Sequence, residues 1–340
     1  MKILIIGGTG VISRDTSRLL ASKHEVFLFN RGQHPFAQDC GIQVIRGDVD
    51  DLAGMRHALE GLHFDCVIDF IAFQPADVER DIELFEGRTE QYIFISSASC
   101  YERPPRNLLI TESTPLRNPY WDYSRAKIAC EEVLMRRYRE TGFPVTIIRP
   151  SYTYNETMIP HIFNSRKNRF TIVSRILRGQ KVILPGDGNT VWTLTHSRDF
   201  AKGMLGLAGN SQAIGEAFHI TSDELLTWNQ ITQTIAGAVG KKADILPIPV
   251  EWICTYPGYE GGLLGDKIYS MVMDNSKLKR FVPEYQATVP FAEGIRESIA
   301  YYQADPSRMG SDPEFDRMCD ELEAAYEKGI ECVKRAQMPG

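Results

Sequence analysis

Tyr123 and Lys127 stand four residues apart in the stretch "YWDYSRAK". On a helix they share one face. A cationic lysine beside a tyrosine favours the phenolate and lowers the tyrosine pKa from about 10. Such a tyrosine moves protons to and from a hydroxyl near neutral pH. Upstream, the apolar run at 91–95 ends in "SSAS" (96–99), where one serine hydroxyl can hold a substrate oxygen beside the phenol. Near the start, Gly7, Gly8 and Gly10 of "GGTGVISR" follow the run "KILII". Glycines there let a turn form and let the backbone approach a pyrophosphate, and the next helix supplies N–H donors and partial positive charge. Ser13 replaces the third glycine of the dinucleotide fingerprint, whose role is close helix–strand packing. The change therefore touches packing more than phosphate contact, and Ser13 is expected to back-bond to a helix carbonyl. Taken singly, the loop is also a tight turn, the Tyr/Lys pair a surface pair, and the serines strand-end caps. In combination and in this order they point to nicotinamide chemistry.

The elements that must position these groups follow from the pattern. Strands are predicted at 3–6, 25–30, 42–48, 65–72, 91–99 and 145–149, and helices at 11–22, 51–59, 76–85 and 119–141, the last with Asn118 as cap and Pro119 at its first position. Several strands are nearly continuous apolar runs, as in a parallel sheet covered on both faces. The alternation predicts a doubly wound α/β sheet. After Pro150 the rhythm breaks into short Pro/Gly-rich pieces and helices, which predicts a smaller C-terminal α+β substrate lobe. The expected organisation is a dinucleotide-binding domain over 1–155 with a returning segment near 190–220, a lobe over 156–310, and a terminal helix over 311–340. Ser311 and Glu314 fit a capping box around Pro313, and Phe315, Met318, Leu322, Ala325 and Tyr326 form a packing stripe.

An acidic residue is expected about 20 residues past the glycine loop when NAD is the ligand. This chain has Asn30 and Arg31 there. No carboxylate repels a 2′-phosphate and a guanidinium can pair with one, which favours NADP over NAD. Asp48 in "RGDVDD" is placed for an adenine edge or, alternatively, caps a turn or helix.

Bulk properties narrow the field. The 340 residues carry a net charge of −6 and are 43% hydrophobic, and the pI is near 5.7. This argues against a nucleic-acid partner and for an ordinary core. Cys40, Cys66, Cys100, Cys130, Cys254, Cys319 and Cys332 are scattered and odd in number, as expected of free thiols in a reducing cytoplasm. No apolar run reaches the ~18 residues of a membrane span, and "MKILIIGG" is expected to be a first buried strand, not a leader. His24, His34, His57, His63, His161, His196 and His219 lack metal-ligand spacing, so no metal is expected.

The motifs "GGTGVIS", "GDVDD", "FISSASCY", "YSRAK", "IIRPSYTY" and "HSRDFA", in that order over roughly residues 1–300, resemble the extended short-chain dehydrogenase/reductase superfamily, its NAD-dependent epimerase/dehydratase-like group. The resemblance implies a Rossmann domain and a catalytic triad of Tyr123, Lys127 and Ser97, the last chosen because that hydroxyl lies four residues before Tyr101. It implies cofactor contacts from Gly7, Thr9, Gly10, Val11, Ile12, Asn30, Arg31, Asp48, Val49, Phe70, Ile71, Ala72, Ser96 and Lys127, with Pro150 and Ser151 bordering the nicotinamide. Ser99, Tyr152 and Trp192 are the expected substrate contacts. The departures bear on substrate. Asn155 and Glu156 replace a Gly-Pro pair. Trp192 stands where nucleotide-sugar enzymes present an arginine, and it can stack on a ring or be a core aromatic. Ala98 and Ser99 replace the Asp-Glu pair of dehydratases. The expected activity is oxidoreduction of a secondary alcohol or ketone on a sugar-like substrate. The alternatives are a sugar epimerase and a non-catalytic cofactor-sensing or RNA-binding relative. The long Tyr-bearing helix suits pairing in a homodimer.

Overall fold

The computed structural model describes residues 1–33 and 36–337; His34 lies outside them. The chain divides into two compact units. One comprises Met1–Asn155, Thr193–Asp223 and Val272–Val289, the other Glu156–Trp192, Glu224–Met271 and Pro290–Gly340. The first unit thus receives a second return, over 272–289, beyond the one expected near 190–220, and the terminal helix belongs to the second unit.

The first unit is built on a seven-stranded sheet: β1 (Lys2–Ile6), β2 (Glu25–Asn30), β3 (Gln43–Arg46), β4 (Cys66–Asp69), β5 (Tyr92–Ile95), β6 (Val145–Ile148) and β7 (Ala217–Phe218). The order is β3-β2-β1-β4-β5-β6-β7 and every pairing is parallel. Its helices include α1 (Ser13–Ala21), α2 (Leu52–Ala58), α3 (Pro75–Phe85), α4 (Asp122–Thr141) and α5 (Ser197–Leu207). Alternate residues of each strand point to opposite faces. Ile3, Ile5, Leu28, Ile68 and Ile93 pack on one face with Phe200, Met204 and Leu207 of α5. Leu4, Ile6, Phe29, Val67 and Phe94 pack on the other with Val78 and Ile82 of α3 and Cys130 and Leu134 of α4. Both faces are covered, which is why the strands carry no polar alternation.

The local signals placed most helix ends. Asp51 caps α2 by accepting from the Gly54 N–H at 3.0 Å. Asp77 accepts from the Phe73 and Gln74 N–H groups ahead of Pro75, at 2.8 and 2.9 Å. Two expectations shift. The Tyr-bearing helix begins at Asp122, not 119. Asn118 instead pins a loop, donating to Ser99 O at 2.7 Å and accepting from the Tyr120 N–H at 3.1 Å. The terminal helix, α6 (Pro313–Ala336), is capped by Asp312 rather than Ser311. Proline at the first helical position makes the residue before it the cap, and Asp312 accepts from the Glu314 N–H at 3.1 Å.

The second unit contains the parallel pair Val182–Pro185 with Ile245–Ile248 and the antiparallel pair Val191–Trp192 with Leu226–Thr227. Arg175 is fully buried and joins α6 to the helix Thr171–Leu177 by ion pairs to Asp316 at 3.0 Å and Asp320 at 2.9 Å. The packing stripe of α6 is shorter than expected. Phe315, Met318 and Leu322 are buried, Ala325 is exposed and Tyr326 is half-buried, its ring near Trp252. Among the described residues, no helix is long and apolar enough to cross a membrane.

Candidate active site

The strand ends of the first unit collect the predicted residues on one edge. In a parallel sheet all C-terminal ends face the same way, so the segments after β1, β2, β3, β4, β5 and β6 converge there. A cleft of about 650 Å³ opens on this edge. Gly7, Thr9, Asn30, Arg31, Asp48, Val49 and Ile71, all among the expected cofactor contacts, line it. Phe29, Gly32, Gln33, Gly47 and Asp50 line it as well and were not anticipated. Gly10, Val11, Ile12, Phe70, Ala72, Ser96, Lys127, Pro150 and Ser151 are not part of this cleft wall.

The glycine loop has the geometry a phosphate cradle needs. Gly7 and Gly8 have φ of +95° and +81°, a region that side chains disfavour. A Cβ on Gly8 would lie 2.5 Å from Leu28 of β2, so close helix–sheet packing is served at Gly8. Ser13 does not back-bond to a helix carbonyl. Its Oγ accepts from the Gly10 N–H at 2.8 Å, and thereby occupies one of the loop's own donors. The fold suits a dinucleotide: two left-handed glycines, an adjoining helix N-terminus and a cleft beside them.

At the β2 end, the Asn30 side chain accepts from the Gly32 N–H at 2.7 Å and shapes the turn. Arg46, in register with Asn30 on β3, lies across Gly32: a Cβ there would meet Arg46 Nε at 2.8 Å. Arg31 and Arg46 are both exposed, and neither has a carboxylate partner among the described residues. Asp48 holds the next turn by accepting from the Asp50 N–H at 3.1 Å.

On the other side of the edge stands α4. Tyr123 and Lys127 occupy its first two turns, one helical turn apart. Tyr123 is half-buried, with the Trp121 ring at 4.9 Å and the exposed Phe73 ring at 6.3 Å. Lys127 is 1% exposed. Its Nζ donates to Ala72 O at 2.6 Å and Ile95 O at 2.7 Å, and lies over the Phe73 and Phe94 rings. Burial pushes the Lys127 pKa below its usual value, and the charge of Asp69 opposes that shift. A buried ammonium is costly unless paired, and here two strand-end carbonyls take two of its three protons.

The serines separate into distinct tasks. Ser97 is half-buried at the edge. Ser124 Oγ donates to Ser99 Oγ at 2.7 Å, and Ser99 Oγ lies 2.9 Å from Ser97 Oγ. Either hydroxyl of the Ser97/Ser99 pair can be the donor, and Ser97 Oγ also accepts from the Ser99 N–H at 3.2 Å. The expectation that Ser99 touches substrate is corrected: it is 2% exposed and supports Ser97. Ser96 is likewise buried, its hydroxyl donating to Glu131, so its side chain does not face the cleft. Glu131 in turn pairs with Arg149. Arg149 reaches Tyr101 OH at 3.0 Å, and Tyr101 is hydrogen-bonded to His219. Pro150 O accepts from the Ala98 N–H at 3.0 Å, and Ser151 Oγ lies 3.4 Å from Thr195 Oγ1. Tyr152 is half-buried on a short strand paired with Leu194–His196.

Trp192 is corrected too. In the second unit it is 2% exposed, donates its indole N–H to Lys267 O at 3.0 Å and packs against Trp228 at 5.5 Å. An indole so enclosed and hydrogen-bonded is a core aromatic, not a stacking platform. Among the described residues, no group of three or more His, Cys, Asp or Glu side chains is placed to hold a metal ion.

The sequence missed Asp69, whose signal was a carboxylate inside the apolar run "DCVIDFIA". It is fully buried at the end of β4, beside Arg80 and Asp81.

Comparison with known proteins follows this geometry. The NAD dependent epimerase/dehydratase family matches residues 3–221. The chloroplast stem-loop binding protein of 41 kDa b from Arabidopsis thaliana is 30% identical over 253 residues, covering 70% of this chain and 63% of that protein. The 2′-dehydrokanamycin reductase of Streptomyces kanamyceticus is 22% identical over 287 residues, covering 84% of this chain and 80% of the reductase. The structure of UDP-glucose 4-epimerase from Bifidobacterium longum, in complex with NAD+ and UDP, superposes with a TM-score of 0.72 at 19% identity, covering 91% of this chain and all of that one. The chain belongs to the NAD-dependent epimerase/dehydratase family.

Proposed function

We propose that this member of the family is an oxidoreductase acting on a secondary alcohol or ketone of a sugar-like substrate, with NADP preferred over NAD. The observation that carries the reading is Lys127, an ammonium buried at the sheet edge one helical turn from Tyr123. Packing alone does not call for a lysine there.

The first unit's residues divide the work. Gly7 and Thr9 with the N-terminus of α1 receive the pyrophosphate, Asp48 and Val49 border the adenosine end, and Arg31 with Arg46 faces a 2′-phosphate. When bound, the nicotinamide exchanges a hydride with the substrate carbon. Tyr123 handles the proton of the substrate oxygen. Lys127 and the N-terminal turn of α4 favour negative charge on that phenol. Ser97 donates to the same oxygen. Pro150 and Ser151 are proposed to border the reacting end. Tyr152 is the remaining substrate contact of the three expected.

The test is turnover on a panel of keto-sugars and polyols, followed by nicotinamide absorbance. Tyr123→Phe is expected to lose between about 10² and 10⁴ in rate; full turnover by that variant overturns the reading. A second reading, sugar epimerisation, is favoured by the likeness in fold to UDP-glucose 4-epimerase. Mass spectrometry of the purified protein separates the two: tightly retained NAD supports the epimerase cycle, exchangeable NADP the reductase.

A further inference from the structure

We infer that Asp69 is a positioning residue: it sets the Lys127 end of the dinucleotide site by holding the segment after β4. The inference rests on the dinucleotide-binding reading above. Asp69 Oδ1 accepts from the Ile71 N–H at 2.5 Å and the Ala72 N–H at 2.9 Å. The carbonyl of Ala72 is in turn an acceptor for Lys127 Nζ. One oxygen therefore fixes the peptide that fixes the lysine. The other oxygen, Oδ2, is buried, without a hydrogen bond, and 3.7 Å from Arg80 Nη2. Arg80 continues the chain away from Lys127. Its Nε donates to Asp81 at 2.9 Å, its Nη1 donates to Val49 O at 3.2 Å, and Val49 lines the cleft. Tyr92 OH closes the cluster by donating to Asp81 at 2.6 Å. The Ala72 end is held directly by Asp69 and the Val49 end directly by Arg80.

Burial and the neighbouring Asp81 charge both push the Asp69 pKa well above the usual carboxylate range. Both amides are met by one acceptor oxygen, and an asparagine side chain can supply one. This yields a test with a fragment that reaches only one end. NADPH and 2′,5′-ADP are titrated into wild type, Asp69→Ala and Asp69→Asn, followed by calorimetry. Losing the two hydrogen bonds that hold the segment after β4 is expected to weaken NADPH about tenfold in D69A. The fragment 2′,5′-ADP, which does not extend to Lys127, should change less than about twofold. D69N should recover NADPH binding to within about threefold of wild type. A parallel loss of both ligands in D69A, no loss at all, or no recovery in D69N overturns the inference. Amide hydrogen exchange on the wild type gives an independent arm if D69A does not fold. Ile71 and Ala72 should be protected without ligand and gain protection with NADPH but not with 2′,5′-ADP. Free exchange there, or an equal gain with both ligands, overturns it. Wild type that binds neither NADPH nor NADH sinks the dinucleotide reading itself, a result distinct from these.

Discussion

At the scale of single residues, small changes in partner decide function. Ser13 keeps the Gly10 N–H occupied, so the loop offers one donor fewer than an all-glycine fingerprint would. Ser13→Ala frees that N–H. NADPH is then expected to bind about fivefold more tightly, the worth of about 1 kcal/mol for one hydrogen bond, measured by fluorescence titration. Unchanged or weaker binding would mean that Gly10 does not meet phosphate. Arg31 and Arg46 form the second case. Two guanidiniums without carboxylate partners among the described residues, flanking a turn shaped by an amide rather than an acid, favour a 2′-phosphate. Arg31→Ala and Arg46→Ala should each weaken NADPH about thirteenfold, in line with a charge-assisted hydrogen bond of about 1.5 kcal/mol, and leave NADH nearly unchanged. Equal loss of both cofactors would remove the preference for NADP.

At the scale of elements, a buried polar network joins the segment after β5 to β6, α4 and the loops beyond β7. His219 sits at its end, fully buried. Its Nδ1 donates to Asp274 O at 2.8 Å, and its Nε2 accepts from Tyr101 OH. Tyr101 OH receives Arg149 Nη1, so its own proton is available to the imidazole. Arg149, Asp274 and Lys277 act on it electrostatically, and Glu112 lies 4.0 Å from its Nδ1. Burial, with a smaller push from Arg149, holds the His219 pKa down to about 3, against 6.5 unperturbed. The folded state therefore keeps His219 neutral while the unfolded chain takes up a proton below pH 6.5. Its contribution to stability is complete above pH 6.5 and is lost as pH falls from 6.5 toward 3, by up to roughly 5 kcal/mol. Urea unfolding at pH 7, 5.5 and 4 should show this slope, and His219→Gln should flatten it. Glu112, whose pKa burial raises, works in the opposite sense in part of the same window, so the comparison with H219Q isolates the histidine.

At the scale of the whole molecule, the expected cofactor contacts named above all fall in the first unit. NADPH at about one hundred times its Kd should stabilise that unit by about 2.7 kcal/mol. Calorimetry should show the gain in the transition that carries the β1–β7 sheet. A ligand-induced shift confined to the second unit's transition would contradict the assignment. The net charge of −6 also bears on the likeness to a stem-loop binding protein. RNA binding rests on neutralised phosphates and weakens steeply with salt. Retention of a stem-loop RNA at 150 mM salt, followed by anisotropy, is therefore expected to be negligible.

The doubly wound sheet, the glycine loop and the Tyr123/Lys127 pair were legible in the amino-acid order because each rests on local physics. Those local causes are alternation of apolar runs, left-handed glycines between strand and helix, and spacing on one helix face. Helix starts were less legible. Asn118 and Ser311 have the composition of caps, yet the chain uses Trp121 and Asp312, because a loop contact to Ser99 and a proline at the first position outweigh composition. The division of labour among Ser96, Ser97 and Ser99 needed three dimensions, since it depends on which hydroxyl meets Glu131, Ser124 or the open edge. The same holds for Trp192, a core aromatic by its contacts with Lys267 and Trp228, and for Arg46, which lies across Gly32 only because β3 is in register with β2. Asp69 is the clearest case. Sequence placed a carboxylate inside a buried strand. The Ile71 and Ala72 amides are its near neighbours in sequence, but only the tertiary structure brought Lys127, 55 residues from Ala72, onto the Ala72 carbonyl, because the two segments meet at a strand end.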